Sequence, residues 1–466
     1  MSSLRCVNGF LPHFSGSSLG LPAEGFETIG SSIDDEVIAM PEPVAEQGHR
    51  VTPLELFFDL VFVFAVTQVT TFLSHDPTWG GLLRAMLLLA AVWWAWSAYA
   101  WLTNMLDPEE GGIRIAMFTA TGAMLVASLA ALNAFGRDAL LFAVAYLIVR
   151  LVHLVLFTMA GRGDRDLFHA IVRTVPGSTI APLLLVVAAF VDGWPQLALW
   201  GVALVILYFA PLIGRMRGFR VSPDHFVERF GLIIIIALGE SIVAIGVGAS
   251  GLPLDAGVME AALLGFLVTV CLWWSYFDWS VYAAQGILSE HTGAGRAALA
   301  RDVYSYLHLP MVAGIVLFSF GVKTTLPHTD ETLGILAAAC LCGGIALYFL
   351  AHVAMRLRLG GGLGRGRPVA VVVLLALVPV ATMVRSLVSV GLVAAACVAL
   401  IAYEYLRHRT SRAWIRERRG SFTIEEARQV TEQDRLPRFR RRRGNDDGSL
   451  PAGATDVADA QDLPPS

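Results

Sequence analysis

Between residues 55 and 407 the chain is a succession of apolar runs broken by short polar connections. Each run holds roughly 18 or more residues, enough at about 1.5 Å per residue to cross a hydrocarbon core of about 30 Å. The pattern predicts twelve spanning helices, at 55–73, 82–104, 113–133, 138–160, 176–192, 196–214, 229–249, 258–284, 302–322, 331–356, 368–386 and 388–407. The first run, "VTPLELFFDLVFVFAVTQVTTFL", is filled with Phe, Val and Leu, yet it opens with Glu55 and Asp59. These acids lie four residues apart and so share one helical face. Thr67 and Gln68 follow deeper in the same helix.

Composition agrees with an all-α integral membrane protein. The 466 residues are 56% hydrophobic and 15% charged, too apolar for a soluble chain of that length. Lys323 is the only lysine, so the loops can be read from arginine alone. Arg114, Arg162, Arg165, Arg215, Arg217, Arg220, Arg296, Arg301, Arg356, Arg358, Arg365 and Arg367 all stand in alternate connections, while "SHDPTWGG", "VDGWPQ" and "SGLPLDAG" have no arginine. By the positive-inside rule both termini are expected in the cytoplasm.

The second half repeats the first. "ELFFDLVFVFAVTQV" from Glu55 matches "ERFGLIIIIALGESIV" from Glu228, and "VWWAWSAYAW" around Trp93 matches "LWWSYFDWSVY" around Trp273. Like offsets in like order predict two parallel six-helix repeats, 51–215 and 216–408, related by an axis along the membrane normal. Residues 1–50 read as a disordered acidic cytoplasmic tail without a signal peptide. Residues 409–466 read as a second, mostly disordered tail, with a short amphipathic stretch "FTIEEARQVTEQ" and the cluster "RFRRRR". Those arginines follow a membrane domain, so anionic lipid head groups are expected as their partners, and nucleic acid is not. A homo-oligomer is compatible with the sequence.

"TPLELFFDLVFVFAV", "ERFGLIIIIALGESIVAIG" and "YLHLPMVAGIVLF" together resemble the bacterial low temperature requirement A family of multi-pass membrane proteins, over about residues 48 to 407. The resemblance implies a bacterial cytoplasmic (inner) membrane location and a link to growth in the cold, with no settled activity or substrate. A second likeness joins "FFDLVFVFAV" to the Phe-Ser-Asp first helix of a potassium-channel family with six-helix repeats; Phe58 stands where that family has serine.

The polar residues inside the runs carry the candidate chemistry. Glu240 lies roughly 18 Å along its helix from Glu228, near the bilayer middle, where a carboxylate must be paired, hydrated or protonated. A proton or cation site is weighed there against a neutral carboxyl that fixes packing. Gly239, Gly246 and Glu228 share one face, on which a neighbouring helix is expected to pack closely. Glu55 and Glu228 are equivalent by the repeat, and each suits either a cap at the positive end of a helix or a gate paired with loop arginines. Asp59 extends an acidic strip one turn deeper, roughly 6 Å inward from Glu55, and its counterpart is Leu232. Thr67 aligns with Glu240 and Gln68 with Ser241, so polar groups recur at one depth in both halves.

His308 precedes Pro310, whose missing N–H frees carbonyls in the preceding turn; the histidine suits a proton relay or a neutral ring bonded to that backbone. Arg150 and His153 share a face, with Arg150 as a buried partner for some acid. Asp278 sits in a Trp/Tyr-rich stretch, as a site or a structural salt bridge. The tryptophans invite an aromatic cage, against the commoner role of packing and interfacial anchoring. Cys6, Cys271, Cys340, Cys342 and Cys397 have no metal-ligand spacing, and neither a metal nor a cofactor is expected.

The leading expectation is a secondary transporter of an ion or small solute with Glu240 in coupling. A cation channel needs the same residues with a continuous pore. A non-transporting sensor or assembly protein would act through the tails, and a lipid-modifying enzyme would need a nucleophile or metal cluster that the sequence lacks.

Overall fold

The first helix starts where the local sequence tells it to. Thr52 is the N-cap, Pro53 occupies the first turn, and Glu55 completes a capping box: the Thr52 side chain accepts from Glu55 N while the Glu55 carboxylate accepts from Thr52 N at 2.9 Å. The computed structural model describes residues 51–213 and 216–407, with Trp414 and Glu426. The tail segments 1–50, "FTIEEARQVTEQ" and "RFRRRR" therefore lie outside the described residues, apart from Glu426.

Among the described residues the chain is helical throughout, with no strand beyond a single bridge between Thr332 and Arg385. The helices are α1 (Pro53–His75), α2 (Trp79–Thr103), α3 (Gly111–Ala130), α4 (Ala139–Ala160), α5 (Arg165–Ala188), α6 (Trp194–Ile213), α7 (Pro223–Ala249), α8 (Ala256–Phe277), α9 (Ser280–Glu290), α10 (Gly293–Ala300), α11 (His308–Thr325), α12 (Ile335–Ala338), α13 (Gly344–Arg358), α14 (Gly366–Ala381) and α15 (Ser386–Arg407). Among the described residues, eleven helical stretches are long and apolar enough to cross a membrane. The expected span at 368–386 is the shorter α14, of 16 residues. The chain turns after it, because Ser386 N and Leu387 N are tied to the Glu331 and Thr329 carbonyls of the loop before α12.

Three expected spans, 258–284, 302–322 and 331–356, are composite. The one at 258–284 breaks at Asp278 and Trp279 and resumes as α9. The one at 302–322 starts within a π-helical segment, Arg301–Tyr306, that follows α10, and continues as α11. A second π segment, Ala339–Gly343, joins α12 to α13.

Within the first half α1 packs on α2 and α3, α3 on α4, α4 on α5, α5 on α6 and α6 back on α2. Within the second half α7 packs on α8 and α11, α11 on α13, α13 on α14, α14 on α15 and α15 back on α8. The two halves meet chiefly where α1 and α2 touch α7 and α11. Close approach of α11 to α13 depends on glycine: a Cβ on Gly314 would fall 2.5 Å from the Gly344 carbonyl oxygen. Large apolar side chains such as Leu60, Ile115, Val205, Leu263 and Val372 point outward and exposed, a surface that requires lipid.

The face carrying Gly239 and Gly246 differs from expectation. A Cβ on either glycine would meet nothing within 4 Å, and Glu228 beside them is exposed. The packed side of α7 is instead the one with Arg229, Ile233, Ala237 and Glu240, because that side meets α1 and α11.

Candidate functional site

The site forms where α1 and α7 lie side by side and parallel. On α1, Glu55 and Asp59 point inward, 0% and 2% exposed. On α7, His225 and Arg229 have the same four-residue spacing and meet them. His225 Nε2 donates to Glu55 at 3.1 and 3.2 Å from its two oxygens, and Arg229 Nη1 donates to Asp59 Oδ2 at 2.9 Å. Arg229 Nε also lies 3.5 Å from Glu55 Oε1, so the guanidinium bridges both acids. The second Asp59 oxygen accepts from Trp96 Nε1 at 2.9 Å, and the Arg229 guanidinium carbon stands 5.7 Å from the Trp96 ring centroid.

Two acids, one arginine and one histidine thus occupy one buried layer. With His225 protonated the layer is neutral; with it deprotonated one negative charge is left over. Glu55 caps α1, one of the two roles expected of it, while its ionic partners are His225 and Arg229 of α7 and not the loop arginines expected for a gate. Glu228, its counterpart by repeat, stands apart on the exposed side, where it accepts from Val51 N at 3.4 Å.

Farther along the same pair of helices Thr67 meets Glu240, with Oγ1 2.5 Å from Oε2. Thr67 Oγ1 is also 3.1 Å from the Val63 carbonyl oxygen. The hydroxyl has one hydrogen, so the geometry accommodates two proton arrangements. An ionised Glu240 accepts from Thr67. A protonated Glu240 donates to Thr67, which then donates to Val63. No heavy atom moves between the two. Ser241 reaches Ser319 of α11 at 2.9 Å; Ser319 gives its hydrogen to the Ile315 carbonyl, so Ser241 is the donor. Gln68 is half-buried and takes no part in these bonds.

An apolar layer separates the two charged levels. Phe62 and Val66 of α1, Trp93 and Trp96 of α2, Ile233 and Ala237 of α7 and Val312 of α11 surround a cavity with room for about one water molecule.

The remaining candidates lie elsewhere. His308 Nδ1 bonds the Val303 carbonyl at 2.9 Å. That carbonyl is free because the π turn sends Leu307 N to Asp302 O. Nδ1 therefore carries the hydrogen, and Tyr276 donates its hydroxyl to Nε2 at 2.9 Å. Asp278 is half-buried at the C-cap of α8. Arg150 and His153 are buried on α4, with His153 Nε2 3.1 Å from the Ala98 carbonyl. Among the described residues no group of three or more His, Cys, Asp or Glu is placed to hold a metal ion.

The tryptophans of α2 tie the halves together. Trp93 Nε1 donates to the Ser305 carbonyl at 2.7 Å and Trp101 Nε1 to Ser305 Oγ at 2.8 Å, while Trp273 and Trp274 are exposed on the outer face of α8. Sequence reasoning missed His225, Arg229 and the buried ion pair Arg367–Glu404, in which Arg367 Nε lies 2.8 Å from Glu404 Oε1. A signal for the first two was present: His225 and Arg229 repeat the spacing of Glu55 and Asp59 with opposite charge. Arg367 reads as a loop charge, yet it is 9% exposed and also donates to the Ser275 carbonyl at 2.9 Å.

Comparison with known proteins extends the picture. A protein of Rhizobium meliloti (strain 1021), described as uncharacterized, is 33% identical over 314 residues, covering 65% of this chain and 76% of its own length. No solved structure matches. The sequence model described as "Bacterial low temperature requirement A protein (LtrA)" matches residues 50–402, which contain every helix that builds the site, and the chain belongs to that family.

Proposed function

We propose that this protein is a secondary transporter of an ion or small solute in the bacterial cytoplasmic membrane, with both termini in the cytoplasm. A proton or cation at Glu240 is coupled to movement along the α1–α7 contact. The observation that carries the reading is the Thr67–Glu240 bond: a buried carboxylate with a hydrogen-bond arrangement open to both its charged and its neutral form. Intramembrane acids are costly, and they are retained most often where charge or protons move.

Three further features support it. The buried layer of Glu55, Asp59, His225 and Arg229 continues the polar row toward the N-terminal ends of both helices, on the arginine-rich side. The main helix pairings of the two halves run in the same order, as expected of parallel repeats, and the row lies where those halves meet. The apolar layer between the two levels, around a cavity with room for about one water molecule, supports alternating access over a standing pore.

Charge movement across proteoliposomes holding purified protein, under imposed proton, sodium and potassium gradients, tests the proposal. The expected result is a gradient-dependent current that is lost in Glu240→Gln. Correctly inserted protein that passes no charge and moves no solute under every gradient would refute it.

A further inference from the structure

The first half buries a charge that the α1–α7 row does not use. Arg150 is the middle of α4, with roughly 16 Å of helix on either side, and it is 2% exposed. Its Nε and Nη1 have no hydrogen-bond partner, and among the described residues no acid pairs with it. A guanidinium remains charged in a protein, and a buried charge without an opposite one is strongly unfavourable. Water could satisfy the N–H groups but would leave the charge uncompensated.

The neighbouring tyrosines do not supply the missing charge. Tyr146 donates its hydroxyl to the Ala91 carbonyl at 3.0 Å and Tyr99 to the Val149 carbonyl at 2.9 Å, so both are neutral and committed to backbone. His153, three residues on and 5% exposed, bonds the Ala98 carbonyl through Nε2. A carbonyl only accepts, so the hydrogen of the neutral ring is on Nε2 and Nδ1 is a bare acceptor. Nδ1 also has no partner. One face of α4 therefore carries two unmet demands: a negatively charged acceptor at Arg150 and a donor at His153. A halide meets the first alone. An oxoanion that bears one O–H meets both.

We propose that Arg150 and His153, where α4 faces α2, form a binding site for a small protonated oxoanion, of which hydrogencarbonate is the simplest. The site is separate from the α1–α7 row and does not depend on the transport reading.

The test uses full-length protein in lipid nanodiscs at fixed pH and ionic strength, with ¹³C-hydrogencarbonate as the probe. Binding is read as broadening of the ¹³C line and as a rise in the thermal unfolding midpoint, with chloride and gluconate as controls. Hydrogencarbonate is expected to act saturably and at least tenfold more tightly than chloride. Arg150→Gln should weaken it at least tenfold. Arg150→Lys, which keeps the charge and guards against a folding failure, should weaken it less than Arg150→Gln. His153→Phe should lower hydrogencarbonate affinity while leaving the weak chloride affinity unmoved. The proposal is overturned if wild-type protein gives no saturable effect, if chloride binds as tightly, or if folded Arg150→Gln binds like wild type.

Discussion

Consider removal of Arg229, the guanidinium that bridges Glu55 and Asp59. In Arg229→Met, two carboxylates remain buried about 6 Å apart along α1, with His225 alone to balance them. The lost attraction can be sized from the 2.9 Å contact to Asp59. Placing the charge centres about 4 Å apart at an effective dielectric near 20 gives roughly 4 kcal/mol, in line with the 3–5 kcal/mol that breaking a buried pair costs. Asp59→Leu should cost about as much, because Arg229 keeps only its longer contact with Glu55 and Trp96 Nε1 loses its acceptor. The double variant behaves differently. It leaves Glu55 hydrogen-bonded to His225, and its chief penalty is the orphaned Trp96 N–H, about 1–3 kcal/mol. The two single costs therefore exceed the double cost by at least about 3 kcal/mol. Equilibrium unfolding in bicelles, followed by tryptophan fluorescence, measures all three. Costs that add to within about 0.5 kcal/mol would refute the coupling and, with it, the idea that these charges form one layer.

Other consequences are as specific. Thr67→Ala should destabilise by about 1.5–3 kcal/mol where Glu240 is ionised, and Thr67→Ser should restore most of that, both read from unfolding at neutral pH. Gly314→Ala forces a Cβ into the Gly344 carbonyl and should cost about 1–3 kcal/mol, whereas Gly239→Ala, with nothing within 4 Å, should be neutral or stabilising in the same assay. Arg367→Met should cost about 3–5 kcal/mol by stranding Glu404, and Glu404→Leu in that background should recover much of it; no recovery would mean that the pair is not the source.

The sequence alone determined the class of protein and the approximate positions of most of its spans, because a segment that must satisfy its backbone inside a bilayer announces itself by length and apolarity. It also singled out Glu55, Asp59 and Glu240, since an acid in an apolar run needs a reason. A capping role for Glu55 was likewise legible, being local. Which side of α7 packs was not. The glycines at 239 and 246 suggest a tight contact that the fold leaves open, while the side with Arg229 and Glu240 is enclosed, and helix rotation is set by neighbours that no single helix records. The break at Asp278 and the two π segments were not read from the sequence either. Above all, partners were decided only by the fold. His225 meets Glu55, Arg229 meets Asp59 and Thr67 meets Glu240 across about 170 residues of chain, because two distant helices lie parallel and in register. A charge is written in the sequence, but what neutralises it is a matter of distance in space.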